Sequence, residues 1–338
     1  MIVNEKKINT LFLLWLIISL ILVFLIILVG GLTRLTDSGL SITKWELFAG
    51  LLPPLTDNKW EAYFNLYKEI PQYKLLNFNM NIEEFKIIFY WEYFHRILAR
   101  FIGLFFLIPL IYFYLTNKID KYYIKICIYV FSLIIFQGII GWLMVKSGLV
   151  DVVTVSHYRL AINLITAIFI VSVIFWLIIN FSSRSNRRFF IFKKEYMPFI
   201  FFIILIYLQI IIGAFVSGLD AGRIYQTWPL MGESFFPNDI TLRNLFEFDN
   251  HSLVQFYHRN LAYFITFYVL ILSIYIFKKK FKNLYIPLAI VIFFLFLQAI
   301  LGIFTLVSGL NIYLASAHQI TSVLLVFSSL YLYYFKAK

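Results

Sequence analysis

Eight runs of mostly apolar residues, at about 11–33, 87–115, 122–146, 155–180, 198–217, 254–277, 284–307 and 313–335, are separated by polar stretches. Most match or exceed the roughly 20 residues that carry an α-helix across about 30 Å of hydrocarbon. Lipid offers no water to pair backbone amides, so each run is predicted to be a helix that closes its own hydrogen bonds. The first run is longer than a signal-peptide core and has no small-residue cleavage site behind it, so it counts as a span. Composition agrees: the 338 residues are 62% hydrophobic, with a mean hydropathy of +0.86. The expected fold is an all-α integral membrane protein with eight transmembrane helices.

Charge adds the orientation. The formal net charge is +12, which would suit a nucleic-acid partner if it were gathered on one soluble face. It is instead spread over Lys6 and Lys7, then Lys118, Lys121 and Lys125, then Arg184, Arg187, Arg188, Lys193 and Lys194. Lys278, Lys279, Lys280 and Lys282 follow, and Lys336 and Lys338 end the chain. In an eight-span arrangement all five groups fall on one side, which the positive-inside rule makes cytoplasmic. Both termini are therefore expected inside, the long connections at about 34–86 and 218–253 outside, and no nucleic-acid partner is expected. The single cysteine, Cys127, lies inside the third run, which excludes an intrachain disulfide and a thiol-rich metal site.

The chain also repeats itself. GGLTRLTDSGLSITKW (30–45) aligns with GAFVSGLDAGRIYQTW (213–228), pairing Gly30 with Gly213, Asp37 with Asp220, Gly39 with Gly222 and Trp45 with Trp228. EYFHRILA (92–99) aligns with QFYHRNLA (255–262). Gln137, Gly141, Ser147, Gly148, Leu149 and His157 align with Gln298, Gly302, Ser308, Gly309, Leu310 and His318. Four spans separate equivalent positions, so both halves enter the membrane in the same direction, as parallel repeats do. Two tandem four-helix bundles are expected, 1–183 and 184–338. Asp37 and Asp220, in the repeated turns, are read as turn caps rather than catalysts.

Four of the five histidines are repeat-equivalent: His95 with His258, and His157 with His318. Each sits early in an even-numbered span, so two imidazoles per half lie at similar depth near the outer face and can meet on opposite faces of one flat metal complex. Ionisable groups inside a membrane are costly and mark functional sites. Bonding to a neighbouring carbonyl is the plainer use of such a histidine. The equivalence of the two pairs favours metal ligation, and two ligands per half with no cysteine suit haem iron better than tetrahedral zinc. His251 has no repeat partner and reads as a surface histidine. Arg96, Arg259 and Arg159 follow the histidines closely and are candidates to pair with haem propionates, or to snorkel to the interface. Gly138, Gly141 and Gly302 would admit a porphyrin face or simply close helix packing.

The halves differ at one telling position. Glu92 stands three residues before His95, one turn along the same helix face; its counterpart is Gln255, which cannot ionise. A carboxylate beside one pair only suggests chemistry there, by proton transfer or by stabilising a developing cation, unless it is a structural partner of a nearby Tyr or Arg. The long first outer connection, with its aromatic and acidic run at 60–69, is a candidate lid or docking surface.

The blocks GGLTRLTDSGLS (30–41), WEYFHR (91–96), SHYRLA (156–161), GAFVSGLDAG (213–222), FYHRNLAY (256–263) and AHQ (317–319) resemble haem A synthase across nearly the whole chain. The likeness is to the branch of α-proteobacteria and mitochondria, which lacks the outer-loop cysteine pairs of other bacterial branches. It implies oxidation of the C8 methyl of haem O to a formyl group, by two successive hydroxylations with loss of water, giving haem A for terminal oxidases in a bacterial inner membrane. His95 and His157 would then frame the substrate haem, with Glu92 as catalytic carboxylate, and His258 and His318 would ligate a haem b that relays electrons. Expected partners are haem O and haem A, membrane lipid and an electron donor or acceptor that the sequence does not name, with room for a docked haem O synthase and for homo-oligomers. The rival reading, a di-haem, quinol-linked cytochrome b-like electron carrier, explains the histidines but not Glu92 opposite Gln255.

Overall fold

The computed structural model of the protein describes residues 2–44, 49–149, 155–241 and 245–336. Trp45 and Lys338 lie outside the described residues. Ten α-helices occur among the described residues: α1 (Ile2–Leu35), α2 (Asp57–Lys68), α3 (Pro71–Leu75), α4 (Ile82–Thr116), α5 (Lys121–Gly148), α6 (His157–Ser182), α7 (Met197–Gly218), α8 (His251–Lys278), α9 (Tyr285–Val307) and α10 (Ile312–Lys336). Eight of them, all but α2 and α3, are long and apolar enough to cross a membrane. The protein is therefore an all-α, multi-pass membrane protein, as the hydropathy pattern predicts.

Helix ends depart from that pattern where caps are polar. The second apolar run suggests a start near 87, yet α4 begins at Ile82. Asn81 accepts from the Glu84 N–H at 2.9 Å while Glu84 reaches back to the Asn81 N–H at 3.0 Å. This capping box supplies partners for amides that a helix start leaves unpaired. Hydropathy cannot register it, because Glu83 and Glu84 in the first turn are charged. Likewise α8 starts at exposed His251, with Asn250 accepting from the Leu253 N–H at 2.9 Å.

The chain divides into two compact units, Met1–Ile178 and Ile179–Lys338. In the first, α4 packs against both α1 and α5; in the second, α7 packs against α8 and α10, and α9 against α8 and α10. Asp37 and Asp220 both adopt left-handed backbone, φ 51° and 52°, which Asp tolerates better than most residues because its short side chain can bond locally. Asp37 accepts an ion pair from Arg34 at 2.8 Å.

The connection after α1 is a folded element of the first unit. Trp60, Phe64 and Tyr67 of α2 and Ile70 pack with Phe85, Ile88 and Phe89 of α4 around Leu40 and Ile42. Trp60 meets Phe89 edge-on at 5.0 Å, and Tyr67 lies 5.2 Å from Phe85. The fully buried Tyr67 hydroxyl accepts from Asn77 at 2.7 Å and donates to Gln72 at 3.1 Å, and Gln72 donates to the Asp37 carbonyl at 2.9 Å. Burial pushes the Tyr67 phenol up to about 12, so it stays a donor across the physiological range. The aromatic run thus holds the segment 38–42 down on α4, where it meets Glu92.

Candidate functional site

Glu92 is the most deeply engaged charge in the first unit, at 2% exposure on α4. One carboxylate oxygen accepts from the Ser41 hydroxyl at 2.7 Å and the Ile42 N–H at 2.8 Å. The other accepts from Arg96 Nε at 3.0 Å and Nη2 at 2.5 Å, a pair one helical turn apart. Every group reaching Glu92 in these bonds is a donor, so the carboxylate serves there as acceptor and counter-charge. Arg96 also donates to the Ile42 carbonyl at 2.9 Å. Both side chains are largely out of water, where one partner without the other is costly.

The second unit holds the equivalent residues around the equivalent carbonyl with different chemistry. Tyr225 takes the place of Ile42. Gln255 Nε2 donates to the Tyr225 carbonyl at 2.8 Å, and Arg259 donates to it at 2.9 Å and to the Leu230 carbonyl at 3.1 Å. A carboxylate accepts from the backbone N–H; an amide at the same place donates to the backbone C=O. The arginine keeps its role as a brace on the loop, while among the described residues a buried acidic side chain stands in the first unit only. Arg96 and Arg259 are thus bonded to protein acceptors, and Arg159 is exposed on the first turn of α6.

The histidines of the second unit face each other. His258 on α8 and His318 on α10 have ring centres 6.4 Å apart and ring planes at 81°. An imidazole nitrogen binds a divalent metal at about 2.0 Å, so two imidazoles on opposite sides of one metal ion put their ring centres roughly 6.3 Å apart. His318 Nδ1 lies 3.1 Å from the Gln298 carbonyl. A carbonyl only accepts, so Nδ1 carries the proton and Nε2 keeps its lone pair, which the Gln298 side-chain amide approaches to 3.4 Å. The Gln209 amide lies 3.2 Å from His258 Nδ1 and donates to the His258 carbonyl at 2.9 Å. Among the described residues no group of three or more His, Cys, Asp or Glu could hold a metal. His258 and His318 would together suit a haem iron, which brings its remaining ligands with the porphyrin.

Glycines seat these rings. A Cβ on Gly213 would lie 3.0 Å from His258 Cε1, and one on Gly302 would lie 2.9 Å from His318 Cε1. Gly30 faces His95 in the same way, at 3.2 Å from Nε2. His157 breaks the pattern: its buried ring leans on neighbouring Tyr158 at 4.0 Å, and Gly141 has Asn163 Oδ1 as its nearest contact at 4.0 Å. His95 and His157 show no ring contact like that of His258 and His318 among the described residues. Gly302→Ala is expected to displace His318 from the Gln298 carbonyl and to cost about 1–3 kcal/mol by overpacking. Gly141→Ala, with open space and better helix propensity, is expected to be neutral or stabilising by up to about 1 kcal/mol. Thermal unfolding and the visible spectrum of the haem-loaded protein, compared for the two variants, check both outcomes.

Residue pattern alone does not reveal Ser41, the Ile42 N–H, Gln209 or Asn163 as parts of these sites. Gln137 and Gln298 were visible as a repeated pair but carried no assignable role.

Fold and sites together define a multi-pass, all-helical membrane protein with a repeated histidine site, opposed as a pair in the second unit and accompanied by a buried carboxylate in the first. A profile of the COX15-CtaA family, cytochrome oxidase assembly proteins, matches residues 13–330. The chain is 48% identical over 330 residues to a protein of Pelagibacter ubique named heme A synthase, covering 96% of this chain and 95% of that one. It is 42% identical over 328 residues to a protein of that name from Wolbachia pipientis, covering 94% and 90%. Identity to the Parvibaculum lavamentivorans protein of that name is 40% over 314 residues, covering 90% and 88%. The chain belongs to the COX15-CtaA family of cytochrome oxidase assembly proteins.

Proposed function

We propose that this protein is a haem A synthase, oxidising the C8 methyl of haem O to the formyl of haem A in a bacterial inner membrane. The observation that carries the reading is the inequality of the two units: a buried carboxylate in one, opposed imidazoles in the other. His258 and His318 would hold a haem b, and their spacing, the Nδ1 proton on His318 and the glycine seats all fit that group. When bound, haem b supplies the one-electron chemistry that side chains cannot. His95 and His157 would hold the substrate haem. Glu92 places a negative charge in a low-dielectric setting next to that site, where it would stabilise a developing cation at the methyl carbon or take its proton. Arg96, Ser41 and the Ile42 N–H hold that charge in place, and the packed aromatic segment over 38–42 keeps water from it. The long-loop ends of α1 and α4 would face outward, with both termini cytoplasmic. Arg159, exposed beside His157, is the arginine best placed to meet a propionate.

A host that makes haem O, given this chain, should accumulate haem A, read by chromatography of extracted haems. Unchanged haem O beside a folded, haem-loaded protein would refute the activity and favour a di-haem electron carrier.

A further inference from the structure

We propose that the turn between α8 and α9 binds the phosphate of an anionic phospholipid through Lys278, Lys279, Lys280 and Lys282, with Lys336 at the end of α10 beside them. The acyl chains of that lipid lie along Phe277 and Ile286. Such a site is independent of the haem chemistry.

The internal repeat separates this site from an ordinary basic connection. Asn117 follows α4 with left-handed backbone, φ 51°, and Lys280 holds the equivalent place after α8 at φ 53°. Their N–H groups bond the carbonyls of Tyr114 and Phe277, which are equivalent in turn. Asparagine tolerates that conformation, whereas a lysine adopts it at a cost, and such an outlier points to a use for the side chain. Leu115, Thr116 and Ile119 stand where Lys278, Lys279 and Lys282 do. The first turn keeps Lys118 and Lys121 but sets Asp120 between them; the second has no acid, and no Asp or Glu lies anywhere in 250–338. The positive-inside rule and the helix dipole are thus served in the first turn by two lysines and an aspartate. The four lysines of the second turn are exposed, and among the described residues none of them forms an ion pair.

The surroundings of the turn suit an amphiphile. Asn283 donates to the Phe335 carbonyl at 3.1 Å, and Lys336 Nζ lies 3.8 Å from the centre of the Phe281 ring, which brings the end of α10 to the lysines. On the span side, the Phe277 ring lies 4.9 Å from that of Tyr285, and Phe277 and Ile286 are 53% and 75% exposed. Aromatic rings under a row of cations mark the headgroup level of a bilayer. The ammonium groups meet a phosphate there, and the apolar side chains next to them meet its chains. An acidic protein would match the lysines but has no use for the apolar margin. A lysine close to anionic lipid contributes about fivefold in affinity.

The test titrates full-length, detergent-purified protein with dioleoyl phosphatidylglycerol, cardiolipin or the neutral dioleoyl phosphatidylcholine, and native mass spectrometry reads the affinity of the tightest-bound lipid. The wild type is expected to bind both anionic lipids at least about tenfold more tightly than the neutral one. Lys278→Leu, Lys279→Thr, Lys280→Asn and Lys282→Ile together install the first unit's own turn and should shrink that preference to within about twofold of none. Lys280→Asn alone should weaken anionic binding by about fivefold while raising the unfolding temperature of the lipid-free protein, since asparagine is the better left-handed residue. That pairing of effects separates lost binding from lost folding. Excess glycerol 3-phosphate should leave phosphatidylglycerol bound; full displacement would show a site for a free phosphate and overturn the lipid assignment. A wild type with no preference for anionic lipid, or a four-lysine variant that keeps the preference, would overturn the site itself.

Discussion

Glu92→Ala is expected to destabilise the first unit by about 3–5 kcal/mol, because it leaves the Arg96 guanidinium buried without its counter-charge. Arg96 would keep the Ile42 carbonyl, but Ser41 and the Ile42 N–H would lose their acceptor. Loss of stability and loss of chemistry are confounded in that variant, so Glu92→Gln is the sharper instrument. A glutamine there can still accept from Ser41 and the Ile42 N–H through its one oxygen, but its NH2 then stands where the other oxygen accepted from Arg96. If the Glu92 charge acts on the substrate, Glu92→Gln should unfold at a higher temperature than Glu92→Ala while haem A formation falls by about 100-fold or more in both. Thermal unfolding and haem chromatography on the same preparation read the two quantities. Wild-type haem A from Glu92→Gln would reduce Glu92 to a clamp on residues 41 and 42.

The second large effect concerns the opposed imidazoles. His258→Ala and His318→Ala should each remove the haem of the second unit, with affinity falling more than about 100-fold, beyond what the loss of an outer-shell bond costs. In protein purified from a host that makes no haem O, the visible spectrum should lose its bis-imidazole component and the haem-to-protein ratio should fall by about one. His95→Ala should leave that component in place. If His258→Ala kept it, the 6.4 Å pair would be a packing contact and the axial ligands would lie elsewhere. The contrast uses the repeat as its own control, since His95 and His258 occupy equivalent places on α4 and α8 and both rest on a glycine of the preceding span.

The features readable in the linear chain share one property: they follow from local pattern or from comparing the chain with itself. A bilayer imposes length and apolarity on every helix that crosses it, so eight spans could be counted from hydropathy. Caps could not, and α4 starts five residues before the apolar run suggests because Asn81 and Glu84 are polar partners. The histidines were conspicuous because they recur at equivalent positions among only five. Glu92 was conspicuous because Gln255 replaces it.

What that carboxylate touches was not readable. Ser41 and Ile42 lie about fifty residues away across a connection whose path depends on Trp60, Phe64 and Tyr67 finding the start of α4. Gln137 and Gln298 occupy equivalent places, and their bonds diverge because the next span offers Asn163 to one and Thr321 to the other.

By itself, then, the sequence determined an all-helical membrane protein with two related halves, four candidate haem ligands and one unmatched carboxylate, since each follows from composition, periodicity or internal repetition. Tertiary structure alone decided that Glu92 is braced by Arg96 and the 41–42 segment, that His258 and His318 face one another, and that Gln298 lies against His318 while Gln137 bonds Asn163. Those are contacts between side chains on separate helices, and their energy depends on distance and burial that no spacing along the chain specifies.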